Sequence, residues 1–258
     1  MDSAIAFGFA FLFGAAVGSF LNVCIYRLPK GLSIVEPPSH CFNCDTPIRP
    51  IDNIPIVSYL ALRGKCRHCG SAYSPRYFCV ELLTGIVAAA LLWRFDVTPA
   101  LFLYFVFAAA LIVVTFIDID YLIIPDAISL PGIGVGLTAS FFIEGMPTPI
   151  ESAIGILLGG GILWAVAFSY EKLTGVEGMG FGDVKLLAMI GAFLGWRSVP
   201  LCLLVSSLSG SIIGITAMAI LGKGRRWEIP FGPFLALGAI LTLLFGTQVL
   251  NWYLEKLV

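Results

Sequence analysis

The stretch ALFLYFVFAAALIVVTFI, residues 100–117, carries no charge and ends abruptly in Asp118-Ile119-Asp120. A helix needs about 20 apolar residues to cross the hydrocarbon of a bilayer. This run approaches that length, and its carboxylates mark where the helix returns to water. Outward from it the pattern recurs. Residues 4–25, 127–143, 152–169, 199–221 and 234–254 read as further spans. Two shorter apolar runs, 82–93 and 186–196, read as spans that are tilted or lengthened by polar residues facing the protein interior. The expectation is an all-α polytopic membrane protein with about eight transmembrane helices. Composition agrees: of 258 residues, 59% are hydrophobic and 12% charged, against about 25% charged in a soluble domain. The mean hydropathy is +0.96. Before residues 4–25 stands only Asp2, and after them come Arg27 and Lys30. A secretory signal has a basic front and a shorter apolar core, so residues 1–26 read as a retained anchor.

Lys and Arg in short loops set orientation. With residues 27–78 in the cytoplasm, alternation puts Arg27, Lys30, Arg49, Arg63, Lys65, Arg67, Arg76, Lys172, Lys185, Lys223, Arg225 and Arg226 on the cytoplasmic side. Arg94, Arg197 and Lys256 are left outside. That is 12 against 3 of the 15 basic residues. In this topology both termini are external, and Asp118, Asp120, Asp126 and Asp183 all fall at cytoplasmic ends of spans. No nucleic-acid partner is expected, and the lipid bilayer is.

Residues 27–78 form the one sizeable polar segment. About 50 residues are too few for a strong core without a metal or disulfide staple. The segment holds Cys41-x-x-Cys44 and Cys66-x-x-Cys69. Two-residue spacing lets a tight turn present both sulfurs to one tetrahedral ion, so these four read as ligands of a structural zinc. Two disulfides are the rival reading, disfavoured in a reducing cytoplasm. His40 and His68 could substitute, but four cysteines already complete a tetrahedron. Cys24, Cys79 and Cys202 read as small buried residues. No repeat of 20–50 residues is visible.

Gly178-Met179-Gly180-Phe181-Gly182-Asp183-Val184-Lys185 sets a second carboxylate among glycines beside an apolar run. A charge at the edge of hydrocarbon is a functional candidate by default. Gly180 and Gly182 would let a substrate backbone approach. Asp183 could instead cap the helix beginning at Val184, Asp126 could cap the helix beginning near Ala127, and Asp118 could be a solvated interfacial charge. Lys185 could pair with a carboxylate or with lipid phosphate. If Asp118 and Asp183 meet, two carboxyls sharing one proton could act as acid and base in hydrolysis. Both histidines flank the cysteines, so no serine–histidine arrangement competes, and neither a His-Glu-x-x-His motif nor a Walker phosphate loop is present. Glu171, Glu177 and Asp126 lie near this stretch or the Asp118 cluster in sequence and could attract positive charge, or are ordinary loop charges. A proton-coupled transporter would want charges near mid-span and internal repeats. A zinc-segment scaffold leaves the glycine-rich aspartate loop without a purpose.

Several stretches together carry a family likeness. Gly18-Ser19-Phe20-Leu21-Asn22-Val23 is followed by Tyr26-Arg27-Leu28-Pro29 and then by the two cysteine pairs, which flank Asn53-Ile54-Pro55 and Ser58-Tyr59. Ser74-Pro75-Arg76-Tyr77 and Val80-Glu81-Leu82-Leu83-Thr84-Gly85 come next. Asp118-Ile119-Asp120, Ile124-Pro125-Asp126, Gly180-Phe181-Gly182-Asp183-Val184-Lys185 and Ile229-Pro230-Phe231-Gly232-Pro233 complete the order. In this the chain resembles the type IV prepilin peptidases, membrane aspartic proteases of the Gly-x-Gly-Asp class. The resemblance implies Asp118 and Asp183 as the catalytic pair. It implies cleavage of the basic leader from type IV prepilins and pseudopilins at the cytoplasmic face of a bacterial inner membrane. It also implies N-methylation of the new amino terminus with S-adenosylmethionine, and a division into an anchor (1–26), a zinc-binding segment (27–78) and a peptidase domain (79–258). No Gly-x-Gly-x-x-Gly after a strand marks a methyl-donor pocket. Phe42 stands where the family often has proline, and Phe78-Cys79 lacks the family's usual proline.

Overall fold

The computed structural model describes residues 3–175, 180–221 and 229–256, leaving aside the side chains of Leu221, Tyr253 and Leu254. Glu177, Gly178, Met179, Lys223, Arg225 and Arg226 lie outside the described residues. Among those described, the fold is helical, with no β-strand and two isolated bridges, His40 with Pro47 and Lys65 with Ala72. The helices are α1 (Ser3–Arg27), α2 (Val57–Ala61), α3 (Arg76–Phe95), α4 (Pro99–Tyr121), α5 (Asp126–Ala139), α6 (Pro149–Thr174), α7 (Phe181–Leu194), α8 (Ser198–Leu221) and α9 (Gly232–Glu255).

Each apolar run forms a helix over most of its length, but among the described residues six helices, not eight, are long and apolar enough to cross a membrane: α1, α3, α4, α6, α8 and α9. The short run 82–93 becomes the 20-residue α3 because the helix extends back to Arg76. Polar residues continue it because they turn inward: Glu81 and Thr84 are buried, and Thr84 bonds the Val80 carbonyl. The run 127–143 is corrected the other way. Its helix, α5, stops at Ala139 after 14 residues. Beyond it the N–H groups of Phe141, Phe142 and Ile143 bond back to Thr138 and Ala139, closing a turn. α7 is also 14 residues long, so each of these two spans about 21 Å of a hydrocarbon layer about 30 Å thick.

The chain divides into two compact units, residues 1–113 and 114–258, with the boundary inside α4. In the first, α1 lies against α3 through small residues. A Cβ on Gly14 would meet Ala88 Cβ at 2.6 Å, and one on Gly18 would meet Glu81 Cα at 2.8 Å. Lipid tails are as apolar as leucine, so helices in a bilayer gain chiefly from such close approach.

In the second unit α7 is the centre. From Val184 to Phe193 it is buried at every position but Lys185. α6 meets it at backbone distance. A Cβ on Gly155 would lie 2.2 Å from the Gly191 carbonyl oxygen, and one on Gly159 would lie 2.5 Å from that of Leu187. Ser152 Oγ donates to the Ala192 carbonyl at 2.8 Å. α5 packs on another side, with Gly136 against Ala192 and Phe193 and Gly132 against Met189. These contacts fix directions. α5 and α7 begin at the same end, where Ile124 touches Gly182. α6 begins at the other, where the Trp196 N–H donates to the Glu151 carbonyl. α5 and α7 therefore run parallel and α6 antiparallel to both.

Replacing Gly155 by valine drives a branched side chain into the α7 backbone. Overpacking of this kind costs about 1–3 kcal/mol. We expect the thermal midpoint of the detergent-solubilised protein to fall accordingly, whereas Gly161→Val, at a position with open space around it, should leave the midpoint nearly unmoved.

Candidate active site and metal centre

Asp118 sits in the last turn of α4 and is 5% exposed, so it is no solvated interfacial charge. Asp120, two residues on, is exposed. A buried carboxylate needs hydrogen-bond partners, and Asp118 receives one from far along the chain. The Gly232 N–H, at the start of α9, donates to its Oδ2 at 2.9 Å. A Cβ on Gly232 would stand 2.7 Å from that oxygen, so only glycine brings its amide so close without displacing the carboxylate.

Asp183 is the third residue of α7. The cap position belongs to Gly180, and no side chain caps the helix, so the capping role considered for Asp183 does not hold. The half-buried Asp183 carboxyl lies within electrostatic reach of Asp118. The two carboxylates singled out in the sequence, 65 positions apart in the chain, are thus electrostatic neighbours within the second unit. Such a pair can share a proton, one member accepting from a water while the other donates to a carbonyl oxygen.

The two glycines before Asp183 differ. A Cβ on Gly182 would sit 2.9 Å from Ile124 Cβ, so this glycine is required for α7 to seat against the turn before α5. Gly180 is exposed, with nothing nearer than 4.0 Å to its missing Cβ. Of the pair, Gly180 is the one with room around it. Lys185 pairs with Asp126 through an Nζ–Oδ1 contact of 2.5 Å. Asp126 is the first residue of α5 and does not cap it. Its carboxylate serves Lys185, which ties the starts of α5 and α7 together. Glu171 is exposed in the last turns of α6. The sequence held no sign of the role of Gly232, because the group it supplies is a backbone N–H that nearly every residue carries.

The four cysteines of residues 41–69 converge, their sulfurs lying within 4.8 Å of one another. Cys41 Sγ and Cys69 Sγ are 3.8 Å apart. Ligands about 2.3 Å from a tetrahedral ion are separated by roughly 3.8 Å, so the set has the dimensions of a four-thiolate metal site. None of the seven cysteines is disulfide-bonded. The two turns repeat one another in backbone. Cys41 N–H bonds the Thr46 carbonyl and Cys66 N–H that of Ser71, while Asp45 and Gly70 bond back to Cys41 and Cys66. Asp45 and Gly70 both take positive φ, 53° and 72°. The repeat is structural and spans too few residues to stand out in the sequence. The Ser71 hydroxyl and neighbouring backbone N–H groups favour the Cys41 thiolate and hold its pKa down at about 5. Ser71 likewise lowers that of Cys69, to about 7. His40 turns its ring to the Pro38 carbonyl.

Residues 12–95 match the Bacterial Peptidase A24 N-terminal domain family, and residues 105–215 match the Type IV leader peptidase family. A protein of Aeromonas salmonicida named prepilin leader peptidase/N-methyltransferase is 38% identical, over 98% of this chain and 95% of its own length. One of the same name from Pseudomonas aeruginosa is 39% identical, over 95% and 92%. Another from Burkholderia pseudomallei is 36% identical, over 96% and 88%. No solved structure matches the chain.

Elemental analysis of the purified protein should find about one metal ion per chain. Cys41→Ser or Cys66→Ser should release it and lower the thermal midpoint. A metal-free protein with an unchanged midpoint would show that the four sulfurs do not hold a structural ion.

Proposed function

The chain belongs to the type IV leader peptidase family, and from that premise we propose that its hydrolytic activity runs on Asp118 and Asp183. The protein removes the leader peptide from type IV prepilins and N-methylates the new amino terminus. Pseudopilins, which share the basic leader and apolar helix, belong to the same substrate class. What supports the catalytic assignment is that Asp183 lies within electrostatic reach of Asp118 in the second unit and that the Gly232 amide holds Asp118.

In the reaction one carboxyl takes a proton from a water as its oxygen attacks the scissile carbonyl carbon. The other gives its proton to the carbonyl oxygen. Collapse of the tetrahedral intermediate breaks the C–N bond, the amine leaves protonated, and the pair returns to its shared-proton state. Gly232 acts through Asp118, keeping that carboxylate turned toward its partner. Gly180 leaves space for an extended substrate backbone, while Gly182 lets α7 sit where Asp183 faces Asp118.

The site end of the second unit is the cytoplasmic one in our reading, in a bacterial inner membrane. The distribution of basic residues supports this, as does the substrate, whose basic leader lies on that side. α5 and α7 are the remaining two of eight crossings. Their shortness fits burial within protein, because backbone that ends below the membrane surface is tolerated only where protein or a water-filled cavity receives it. The opposed directions of α6 and α7 require the chain to pass from one end of the unit to the other between Asp126 and Pro149. Residues 1–26 serve as anchor, 27–78 as the metal-binding segment and 79–258 as the part holding the hydrolytic pair.

The ion held by Cys41, Cys44, Cys66 and Cys69 is zinc. Four thiolates in tetrahedral array suit it and leave no position for a reacting water, which makes the site structural.

Asp118→Asn and Asp183→Asn should each slow cleavage of a prepilin peptide on the order of 10²–10⁴-fold while the protein still inserts and keeps its metal. Substantial cleavage by either variant would remove that residue from the catalytic pair. Gly232→Ala, which shifts Asp118 without removing it, should lower kcat about 10²-fold with KM little changed, and a wild-type kcat would mean that the amide contact does not position the carboxylate.

A further inference from the structure

Residues 51–60 belong to the polar segment, yet one side of the stretch is apolar and bare. Val57, Leu60 and Ala61 share a face of α2, with Val57 57% and Leu60 61% exposed. Ile51, in the short 3₁₀ turn before α2, is 67% exposed. The other side of α2 is occupied. Ser58 is buried, and Ser58, Tyr59 and Leu62 line a cavity of about 700 Å³ within the first unit. A single exposed apolar residue is ordinary on a protein surface. Three large ones in so short a stretch, with a packed reverse side, mark a face that something covers.

Depth decides what covers it. α3 has 20 residues and rises about 30 Å, the thickness of the hydrocarbon layer. The helix has no length to spare, so Arg76 starts it at the hydrocarbon edge. Glu81 is five residues farther in, about 7 Å along the axis. Its Oε2 accepts the Ile56 N–H at 2.6 Å. The Tyr59 ring meets that of Phe78, in the first turn of α3, with centroids 5.6 Å apart. The backbone around Ile56 is therefore drawn along α3 to the level where headgroups give way to acyl chains.

The stretch is built for that level. Backbone polar groups that face hydrocarbon must be paired within the protein. Ser58 Oγ accepts the Ile54 N–H and donates to the Ile51 carbonyl, both at 2.9 Å. The N–H groups of Val57, Ser58 and Leu60 bond the carbonyls of Pro55, Ile54 and Ile56. Ile56 holds φ at 65°, a region that a β-branched residue rarely enters, and its amide is thereby aimed at Glu81 instead of at water. Charge fits too. Residues 27–78 carry seven basic residues against three acidic, and the exposed Arg49, Arg63 and Lys65 bracket the stretch. Such side chains lay their stems along apolar surface and extend their charged heads toward phosphate.

We propose that residues 51–60 are an interfacial foot, embedded in the bilayer beside α3. Ile51, Val57 and Leu60 lie among the acyl chains, and Arg49, Arg63 and Lys65 reach the phospholipid phosphates. Apolar faces of this kind settle about 5–10 Å into the boundary between headgroups and acyl chains. The foot gives the polar segment a third hold on the membrane, between the two helices that tether its ends.

The test uses the full-length protein, with its metal retained, in phospholipid nanodiscs. A fluorescent amino acid replaces Leu60 in one variant and Val57 in another. Both positions are exposed, and metal content and thermal midpoint report that the fold is kept. The same fluorophore at Leu12, exposed near the middle of α1, sets the signal for lipid, and the free fluorophore in buffer sets it for water. Nitroxides on the acyl chains should quench positions 57 and 60 about half as strongly as position 12 or more, and iodide should quench them about fivefold less than the free fluorophore. Iodide quenching near the free value at either position overturns the foot. So does protection from both quenchers, which would mean that a protein surface covers the face. Independently of any substitution, the wild type irradiated with a phospholipid carrying a diazirine in its acyl chains should yield labelled peptides containing residues 51–60. Label confined to the long helices overturns the foot even where a variant fails to fold.

Discussion

A helix of 14 residues is by itself shorter than the hydrocarbon layer is thick, and α7 is embedded among neighbours that approach it at backbone distance. Gly155 and Gly191 touch with no side chain between them, and Gly159 rests on the Leu187 carbonyl. Backbone polar groups in hydrocarbon must be satisfied within the protein, and Ser152 adds a hydrogen bond to the Ala192 carbonyl from across the α6–α7 interface. Packing of this closeness leaves α7 one position along its axis. Asp183, on the first turn of α7, is thereby held in place relative to α6.

Residues from four segments gather there: Asp118 from α4, Asp126 from α5, Asp183 and Lys185 from α7, and Gly232 from α9. Three of the four helices begin at this end, so their unpaired N–H groups and positive dipole ends face a place where negative charge collects. Gly232 turns one such N–H directly onto Asp118. The Asp126–Lys185 pair is too exposed to stabilise the fold by much. Its value is positional, since it joins the first turns of two parallel helices.

Much of this is legible in the sequence, because the cost of placing charge near hydrocarbon leaves a one-dimensional trace. The apolar runs, the carboxylates at their ends and the paired cysteines can all be read from it. What cannot be read is set by contacts between distant residues. α3 starts six residues before its apolar run because Glu81 and Thr84 face inward, and burial by a neighbour is invisible to local hydropathy. α5 stops short of its apolar run because the residues after Ala139 fold back into a turn. Gly182 reads as space for a substrate, yet the atom it avoids is the side chain of Ile124, 58 positions away. Gly232 contributes an amide and no side chain, so no property of the residue itself announces it.

The polar segment poses the reverse problem. It has too few residues for a core of its own, yet it walls a cavity of about 700 Å³, and an empty volume gives its lining no packing stabilisation. Its walls must therefore be held from behind. The four sulfurs do this on one side, drawing two similar turns together. The Arg67–Asp52 bond, at 2.7 Å, links the second turn to the stretch between them. On the other side the α1–α3 interface offers a rigid base, from which Arg27 and Glu81 reach up to loop backbone at Ser33, Pro37 and Ile56. Each of those attachments joins a charged side chain to a backbone group. Four sulfurs close enough to share one ion would let that ion brace a polar loop from behind, at a distance from the volume the loop walls.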